Sequence, residues 1–282
     1  MTSIKGRIAC ALLYTCPWLC FAADPIQQLA DDYFARRPMT VPSPEMSMPA
    51  ALRVQDQFVA KLSEKLGKPV GYKVGLVTKE AQQKYGVTSP VRGVLLAQMM
   101  LTNNAELGID YGVRPILEAD LVAIVGGGAI NSAVSPVDVL RNLKEIVAFI
   151  ELPDNLLATN QRVTGPLLAA VNVGARYGVL GERVPVRVTP TFVEALAKME
   201  VTLSDGTGKE HGRERGEMIL GNPVQSVLWL IEDLRKAGKR LQPGDILSLG
   251  AVKAITPDPG QTYTVRYDGL PGGPISVSVR IR

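Results

Sequence analysis

Two acidic residues, Glu118 and Asp120, interrupt an apolar run that extends over residues 115–125. Such a run is typical of a buried strand, in which residues i and i+2 project from the same face with Cα atoms roughly 6.5 to 7 Å apart. Both carboxylates would then project together from a hydrophobic sheet, and two like charges held in this way favour a bound cation. The alternative is a solvent-facing strand edge, which also alternates acidic with apolar residues.

The N-terminal segment has the pattern of a secretory signal. Lys5 and Arg7 precede an apolar stretch over residues 8–21, and Cys20-Phe-Ala22 supplies small residues at the two positions that a signal peptidase reads. A membrane-anchoring or buried helix is the alternative, but this stretch is shorter than the ~20 residues that a spanning helix needs. We therefore expect residues 1–22 to be a signal peptide and the mature protein to be periplasmic or secreted.

Removal of this signal would also remove every cysteine. Cys10, Cys16 and Cys20 are the three cysteines of the chain, so the mature protein would have no disulfide, cysteine nucleophile or thiolate metal site. The basic residues are scattered and only 5% of residues are aromatic, which argues against a nucleic acid partner. After residue 22 no apolar stretch is long enough to cross a membrane.

The pattern of apolar and turn-forming residues predicts two structural parts. Apolar residues at helical spacing predict helices at residues 24–36 and 51–66, within an N-terminal helical segment at residues 23–70. Residues 71–282 carry short β-rich runs separated by Gly, Pro and Asn. The predicted strands are residues 71–76, 93–100, 116–125, 184–188, 200–203, 245–249, 262–267 and 275–281. Because these strands do not alternate regularly with helices, we expect an α+β roll.

Three helices are predicted among these strands, at residues 137–150, 190–197 and 223–237. The last one opens with Asn222-Pro223, in which a good N-cap residue precedes a proline at the first helical position. We therefore expect this helix to begin at Pro223.

Three further ionisable residues are candidates for chemistry. Lys73 lies between two glycines in Gly71-Tyr-Lys-Val-Gly-Leu76, so it is either an exposed edge residue or a lysine whose pKa moves toward neutrality beside a metal and a dry wall. Glu151 ends an apolar run and either begins a surface loop or needs a cation or hydrogen-bond donors inside the protein. His211, the only histidine, lies among charges beside glycine, as a surface turn residue would.

The available ligand types restrict the metal that the chain can hold. With a single histidine and no cysteine in the mature chain, a zinc site of the usual nitrogen and sulfur type is excluded. Carboxylate oxygens instead favour magnesium, manganese or calcium.

Five motifs in order resemble one known family. They are Gly71-Tyr-Lys-Val-Gly-Leu76, Leu117-Glu-Ala-Asp-Leu121, Phe149-Ile-Glu151, Leu220-Gly-Asn-Pro223 and Gly244-Asp-Ile-Leu-Ser-Leu-Gly250. From about residue 50 to the C-terminus the chain is similar to the fumarylacetoacetate hydrolase superfamily. The likeness is greatest to its 2-keto-4-pentenoate hydratase and 4-oxalocrotonate decarboxylase branch, whose members act in aromatic catabolism.

This resemblance implies a fold and a site. The fold is a fumarylacetoacetate hydrolase C-terminal-like mixed β-roll, here with an N-terminal helical layer. The implied metal is Mg²⁺ or Mn²⁺, Lys73 would match the family's catalytic proton carrier, and a homo-oligomer is expected. The resemblance implies metal ligation by Glu118, Asp120 and Glu151, and substrate binding by Leu76, Asn172 and Gly250.

The implied activity is that of a hydratase or lyase on a small 2-keto acid such as 2-hydroxypenta-2,4-dienoate, through an enolate that the metal stabilises. Several positions depart from the family pattern: Asp120 replaces the usual glutamate, and Val91, Val171 and Gly174 stand where polar residues are expected. These departures motivate two alternatives. One is a catalytically silent, metal-dependent binder of keto acids or dicarboxylates, and the other is an acylpyruvate hydrolase or decarboxylase on the same fold.

Overall fold

The computed structural model describes residues 24–43 and 45–282, so the predicted signal peptide at residues 1–22 lies outside the described residues. The helices are α1 (Pro25–Ala35), α2 (Met48–Leu66), α3 (Lys79–Lys84), α4 (Pro136–Arg141), α5 (Gly165–Ala170), α6 (Pro190–Lys198) and α7 (Pro223–Lys236). Over the described ranges, no helix combines the length and apolar character needed to span a bilayer.

Thirteen strands make up the β-structure of residues 24–43 and 45–282. They are β1 (Pro69–Gly75), β2 (Val91–Leu96), β3 (Met100–Thr102), β4 (Ala105–Leu107), β5 (Leu117–Val125), β6 (Leu143–Leu152), β7 (Tyr177–Pro185), β8 (Glu200–Asp205), β9 (Glu210–Arg215), β10 (Ile246–Ser248), β11 (Lys253–Ile255), β12 (Thr262–Asp268) and β13 (Ile275–Ile281).

The larger of the two sheets curls into a roll. Its strand order is β2-β1-β10-β5-β6-β7-β3, with β11 also paired to β5. In a flat sheet with strands about 4.8 Å apart, the two ends of this order would lie roughly 29 Å from each other. The chain passes from β2 to β3 through Ala97–Met99 alone, which spans at most roughly 14 Å. The sheet therefore has to curl, and the predicted α+β roll is confirmed.

A second sheet packs against the outer face of this roll. It has the order β4-β13-β12-β8-β9, and its side chains share one hydrophobic core with alternate residues of β5 and β6. Buried members of this core are Ala119, Leu121, Ile146, Ala148, Ile150, Leu203, Val265 and Tyr267. Because side chains alternate across a strand, the intervening residues of β5 and β6 project to the opposite, inner face of the roll.

The prediction of a helix over residues 137–150 is wrong. A short helix, α4, ends at Arg141, and β6 begins at Leu143. All residues from Ile146 to Ile150 are fully buried and β6 pairs with strands on both sides. A strand that is covered on both faces has a continuous apolar run, which periodicity alone does not distinguish from a buried helix. Glu151 therefore lies within a central strand of the sheet.

The prediction for His211 also differs from the structure. This residue lies in β9 and is only partly exposed, rather than in a surface turn. Its Nε2 lies 2.8 Å from Oδ2 of Asp205 on β8, and its ring packs edge-to-face against Tyr263. The charged neighbours that suggested a turn are the exposed residues of an edge strand.

The N-terminal helices contact the roll directly. On α2, Gln55 is fully buried and its Nε2 donates to the carbonyl oxygens of Arg92 and Ala169, both at 2.7 Å.

The predicted start of α7 is confirmed: Asn222 Oδ1 accepts from the Val224 amide at 3.0 Å, and Pro223 is the first helical residue. The division of the chain at residues 23–70 and 71–282 stays a prediction.

Replacing Asn222 by alanine tests the cap of α7. The change removes the acceptor for Val224 and also the bond from Asn222 Nδ2 to the Val193 carbonyl oxygen. We expect the free energy of unfolding in urea to fall by about 1–2 kcal/mol. Asn222→Asp keeps the capping acceptor but also loses the bond to Val193, so the difference between the two variants reports the cap, and an equal loss in both would contradict a capping role.

Candidate metal centre and cavity

Strand register brings the predicted ionisable residues together on the inner face of the roll. Glu118 on β5 lies directly opposite Glu151 on β6. Ser248 on β10 pairs with Val122 of β5 and also with Lys73 of β1. Residues that pair across strands share a face. The adjacent strands β1, β10, β5 and β6 therefore bring three acids and one lysine together in one cluster.

Lys73 is buried within this cluster. Its ammonium contacts Oε1 of Glu151 and donates to the carbonyl oxygen of Val173 at 3.1 Å. Gly93, its partner on β2, makes this placement possible, because a Cβ atom there would lie 2.7 Å from Lys73 Cγ. Lys73 is therefore an internal cation and not an exposed edge residue.

Asp120 is held by hydrogen bonds behind the cavity wall. Its Oδ2 accepts from Ser248 Oγ at 2.5 Å, and its Oδ1 accepts from the amides of Leu121 at 2.5 Å and Gly250 at 2.9 Å. Its side chain is only 1% exposed. Both carboxylate oxygens are thus engaged, which fixes the orientation of this acid.

Burial and mutual repulsion raise the pKa values of two acids in the cluster. Burial, reinforced by Glu151, raises the pKa of Glu118 to about 8, although Lys73 partly offsets the shift. Burial and Glu151 raise the pKa of Asp120 to about 7, against the hydrogen bonds that it accepts. With all three acids ionised, the cluster would hold more negative charge than its one lysine neutralises.

The pKa of Lys73 moves in the direction opposite to that expected from the sequence. Burial acts to lower it, but the neighbouring carboxylates, first Glu151 and then Glu118, outweigh burial and raise it above its ordinary value of 10.5. The ammonium form is therefore the stable one at neutral pH.

A cavity of about 380 Å³ adjoins the cluster. Lys73, Glu118 and Glu151 line it, whereas Asp120 does not. Most of the remaining wall is aliphatic, with Leu76, Val77, Ile116, Leu156, Leu168, Val171 and Val173 among the lining residues. The cavity thus combines a charged inner patch with a largely apolar surface, as ligand sites commonly do.

The three predicted substrate-binding residues have different positions. Leu76 lines the cavity and adopts a left-handed backbone conformation with φ +59°. Asn172 is fully buried outside the lining, where its side-chain amide exchanges hydrogen bonds with the Val94 backbone at 2.7 and 2.9 Å. Gly250 also lies behind the wall and donates to Asp120. Of the three, Leu76 is the one placed to touch a ligand.

The sequence did not single out two polar residues that shape the site. Ser248 fixes Asp120, and the one available signal for it was its place in the motif at residues 244–250. Asp154 is buried beside the cavity and accepts from the amides of Val113 and Arg114, both at 2.8 Å, and from Arg176 Nε at 3.0 Å. The one available signal for Asp154 was an acid after Pro153, directly beyond the apolar run of β6.

The acids are clustered but do not surround one point. Over residues 24–43 and 45–282, no group of three or more His, Cys, Asp or Glu side chains is arranged as a metal site. Asp120 is turned toward Ser248, and Lys73 lies against Glu151. The composition nevertheless fits a hard cation, because the three acids supply only oxygen donors and outnumber the one lysine beside them.

Comparison with known proteins gives relatives in both sequence and fold. No family model matches the chain. The chain is 29% identical over 202 residues to 2-keto-4-pentenoate hydratase 1 of Dechloromonas aromatica, covering 71% of this chain and 74% of that protein.

Two solved structures share the fold. The first is the 4-oxalocrotonate decarboxylase of Pseudomonas putida G7, complexed with magnesium and adipate, with a TM-score of 0.79 and 22% identity over 92% of this chain and 96% of that one. The second is the fumarylpyruvate hydrolase of Pseudomonas aeruginosa in complex with Mn²⁺ and pyruvate, with a TM-score of 0.52 and 15% identity over 75% and 89% of the two chains.

The chain therefore has the fold of the fumarylacetoacetate hydrolase superfamily. In sequence it is similar to proteins named 2-keto-4-pentenoate hydratase and 4-oxalocrotonate decarboxylase, so the resemblance predicted from the five motifs is confirmed. The names of the relatives also agree with the prediction of a hydratase-like enzyme.

The raised carboxyl pKa values predict how stability depends on pH in EDTA. Glu118 and Asp120 bind protons more tightly in the folded state than at their ordinary pKa values of 4.5 and 3.8. Their favourable contribution is full below these values and is lost as the pH rises through about 7 and 8. We expect the urea midpoint to fall between about pH 5 and about pH 8.

Glu118→Gln should reduce this dependence on pH, because it removes one of the two titrating groups. Glu64→Gln, at an exposed position on α2, is the matched control and should leave it unchanged. Added Mg²⁺ should restore the midpoint at the alkaline end if it binds the ionised acids. A midpoint that rises with pH in EDTA would contradict the cluster's charge imbalance.

Proposed function

We propose that this protein is a divalent-metal-dependent hydratase or lyase that acts on a small 2-keto acid or its enol. The observation that carries the proposal is the convergence of Lys73, Glu118 and Glu151 on one wall of a largely aliphatic cavity. The curated relatives named as 2-keto-4-pentenoate hydratases support the same reaction class.

Glu118 and Glu151 would hold the cation, with Asp120 behind them as the third acid. Three acids beside a single lysine favour such an ion, because when ionised together they carry more negative charge than Lys73 neutralises. When bound, Mg²⁺ or Mn²⁺ would supply electrophilic stabilisation of the charge that develops on the 2-oxo oxygen of a keto acid. Hydrogen bonds from Ser248 and Gly250 already orient Asp120. Its carboxylate therefore has a fixed position on one side of the proposed metal site.

Lys73 is the group that moves the proton. Its ammonium lies on the cavity wall beside Glu151 and the Val173 carbonyl oxygen, within reach of a ligand that occupies the same wall. Because its neighbours favour the charged form, Lys73 would first act as the acid that protonates the enol carbon. The aliphatic wall excludes bulk water and so limits exchange of this proton with solvent.

The same aliphatic wall supports two other functions. Val171 and Val173 line the cavity, and Val91 is buried nearby, so these positions supply no polar side chain to orient a water molecule for addition. Hydration and acylpyruvate hydrolysis both consume a water molecule, whereas decarboxylation does not. The apolar side chains at these positions therefore favour decarboxylation as one alternative and a silent metal-dependent keto acid binder as the other. Calorimetry with oxalate and Mg²⁺, together with a turnover assay, separates binding from catalysis.

Export and self-association complete the proposal. The charge and apolar pattern of residues 1–22 supports a signal peptide, so we propose a periplasmic or secreted enzyme. A homo-oligomer is proposed from the family resemblance alone, and light scattering on the purified protein tests it.

N-terminal sequencing of the mature protein tests export. After expression with the full sequence in a Gram-negative host, we expect the periplasmic form to begin just after residue 22. Replacing Lys5 and Arg7 with glutamate should retain the precursor inside the cell, because the basic residues orient the signal. A full-length chain recovered only from the cytoplasm would contradict the assignment.

Lys73→Ala tests the proton carrier. With Mg²⁺ and 2-hydroxypenta-2,4-dienoate, the wild-type protein should consume the ultraviolet absorbance of the dienol. The variant should lose roughly 10²- to 10⁴-fold in rate, the usual contribution of a positioned acid or base. Lys198→Ala, on the exposed surface of α6, is the control. No turnover by the wild type across a panel of 2-keto acids would overturn the proposed function.

A further inference from the structure

The cavity carries positive charge that its acidic cluster does not use. Lys84, Arg114 and Lys253 line it in addition to Lys73. Across the described ranges, Lys73 is paired with Glu151, whereas these other three cations have no carboxylate oxygen within 4.0 Å of a side-chain nitrogen. Unpaired cations in the wall of one cavity favour an anionic group on the ligand.

Arg114 is the most firmly positioned of these three cations. Its amide donates to Oδ1 of Asp154 at 2.8 Å, its carbonyl oxygen accepts from the Asn155 amide at 3.1 Å, and its guanidinium donates to the Leu157 carbonyl oxygen. Asp154 is itself fixed by an ion pair with the buried Arg176. The remaining guanidinium N–H groups are therefore presented from a rigid support, which suits a planar carboxylate.

Arg114 and Glu118 lie on one continuous segment along the cavity wall. Ile116, between them, also lines the cavity and its amide donates to the Pro153 carbonyl oxygen at 3.0 Å, and Pro115 forms a bridge to Asp154. This segment thus continues the pairing of β5 with β6. Four residues of extended chain place the two Cα atoms roughly 13 Å apart, and the arginine side chain spans part of this distance.

We propose that Arg114 binds the distal carboxylate of a 2-oxo dicarboxylic acid whose 2-oxo acid end lies at Glu118, Glu151 and Lys73. This inference rests on the proposed function, because it uses the same cavity and the same orientation of the keto acid. Arg114 is then a specificity-determining residue: it selects a dianionic substrate over a monocarboxylate of the same length. Lys84 and Lys253 add to the positive potential around this position.

A pair of ligands that differ only in the distal carboxylate tests the inference. Binding of 2-oxoadipate and of 2-oxohexanoate is measured by calorimetry in Mg²⁺ with the full chain. We expect the wild type to bind 2-oxoadipate at least tenfold more tightly. Arg114→Gln should weaken 2-oxoadipate roughly ten- to hundredfold, the worth of charge-assisted hydrogen bonds, and leave 2-oxohexanoate unchanged.

Two further variants separate specificity from structural damage. Arg141→Gln removes an exposed arginine on α4 that pairs with Asp138 and should alter neither affinity. Arg114→Lys keeps the charge but not the planar fork, so it should retain part of the preference. Equal affinity of the wild type for both acids, equal weakening of both by Arg114→Gln, or no binding of either acid would overturn the inference.

Deuterium exchange at C3 of the two bound acids reports separately on the proposed function. Enzyme-dependent exchange, followed by NMR, requires the proton transfer assigned to Lys73 but not the contact with Arg114. Exchange without a preference for 2-oxoadipate overturns the role of Arg114 alone. A preference for 2-oxoadipate without exchange supports Arg114 and overturns the catalytic role of the site.

Discussion

The antiparallel pairing of β5 with β6 is the constraint on which the site depends. It sets Glu118 opposite Glu151 on the inner face of the roll, and the parallel pairing of β1 with β10 brings Lys73 to the same face. A shift of one residue in either register would turn these side chains toward the opposite face. The outer face of β5 and β6 belongs to the main hydrophobic core, so burial of that core fixes the register and with it the position of the acids.

The cluster concentrates ionisable groups in the interior of the roll, where little solvent is present to screen their charges. Burial raises the pKa values of Glu118 and Asp120, and the carboxylates in turn raise the pKa of Lys73. One lysine among three acids leaves a need for positive charge that a divalent cation would meet. Without a bound metal, the clustered acids therefore lower the stability of the protein at neutral pH. Such a loss of stability is typical of functional sites.

Several features of the fold and site were predictable because they depend on local pattern. The spacing of Glu118 and Asp120, the cap at Asn222 and the two N-terminal helices all follow from neighbouring residues. The strand β6 was missed because an apolar run that is buried on both faces has no strand periodicity. The pKa direction of Lys73 was also missed, because it depends on Glu151, which is distant in sequence and adjacent only through strand pairing.

The sequence by itself determined the chemical inventory: acidic oxygens as the ligand type, one lysine between glycines, and five motifs in an order that resembles the fumarylacetoacetate hydrolase superfamily. The tertiary structure alone decided which of these groups meet. It turned Asp120 toward Ser248 and Gly250, placed Asn172 on the β2 backbone and not in the cavity, and put Arg114 on the same wall as Glu118. The physical reason is that local pattern fixes the face on which a side chain lies, whereas its partners come from strands far apart in the chain.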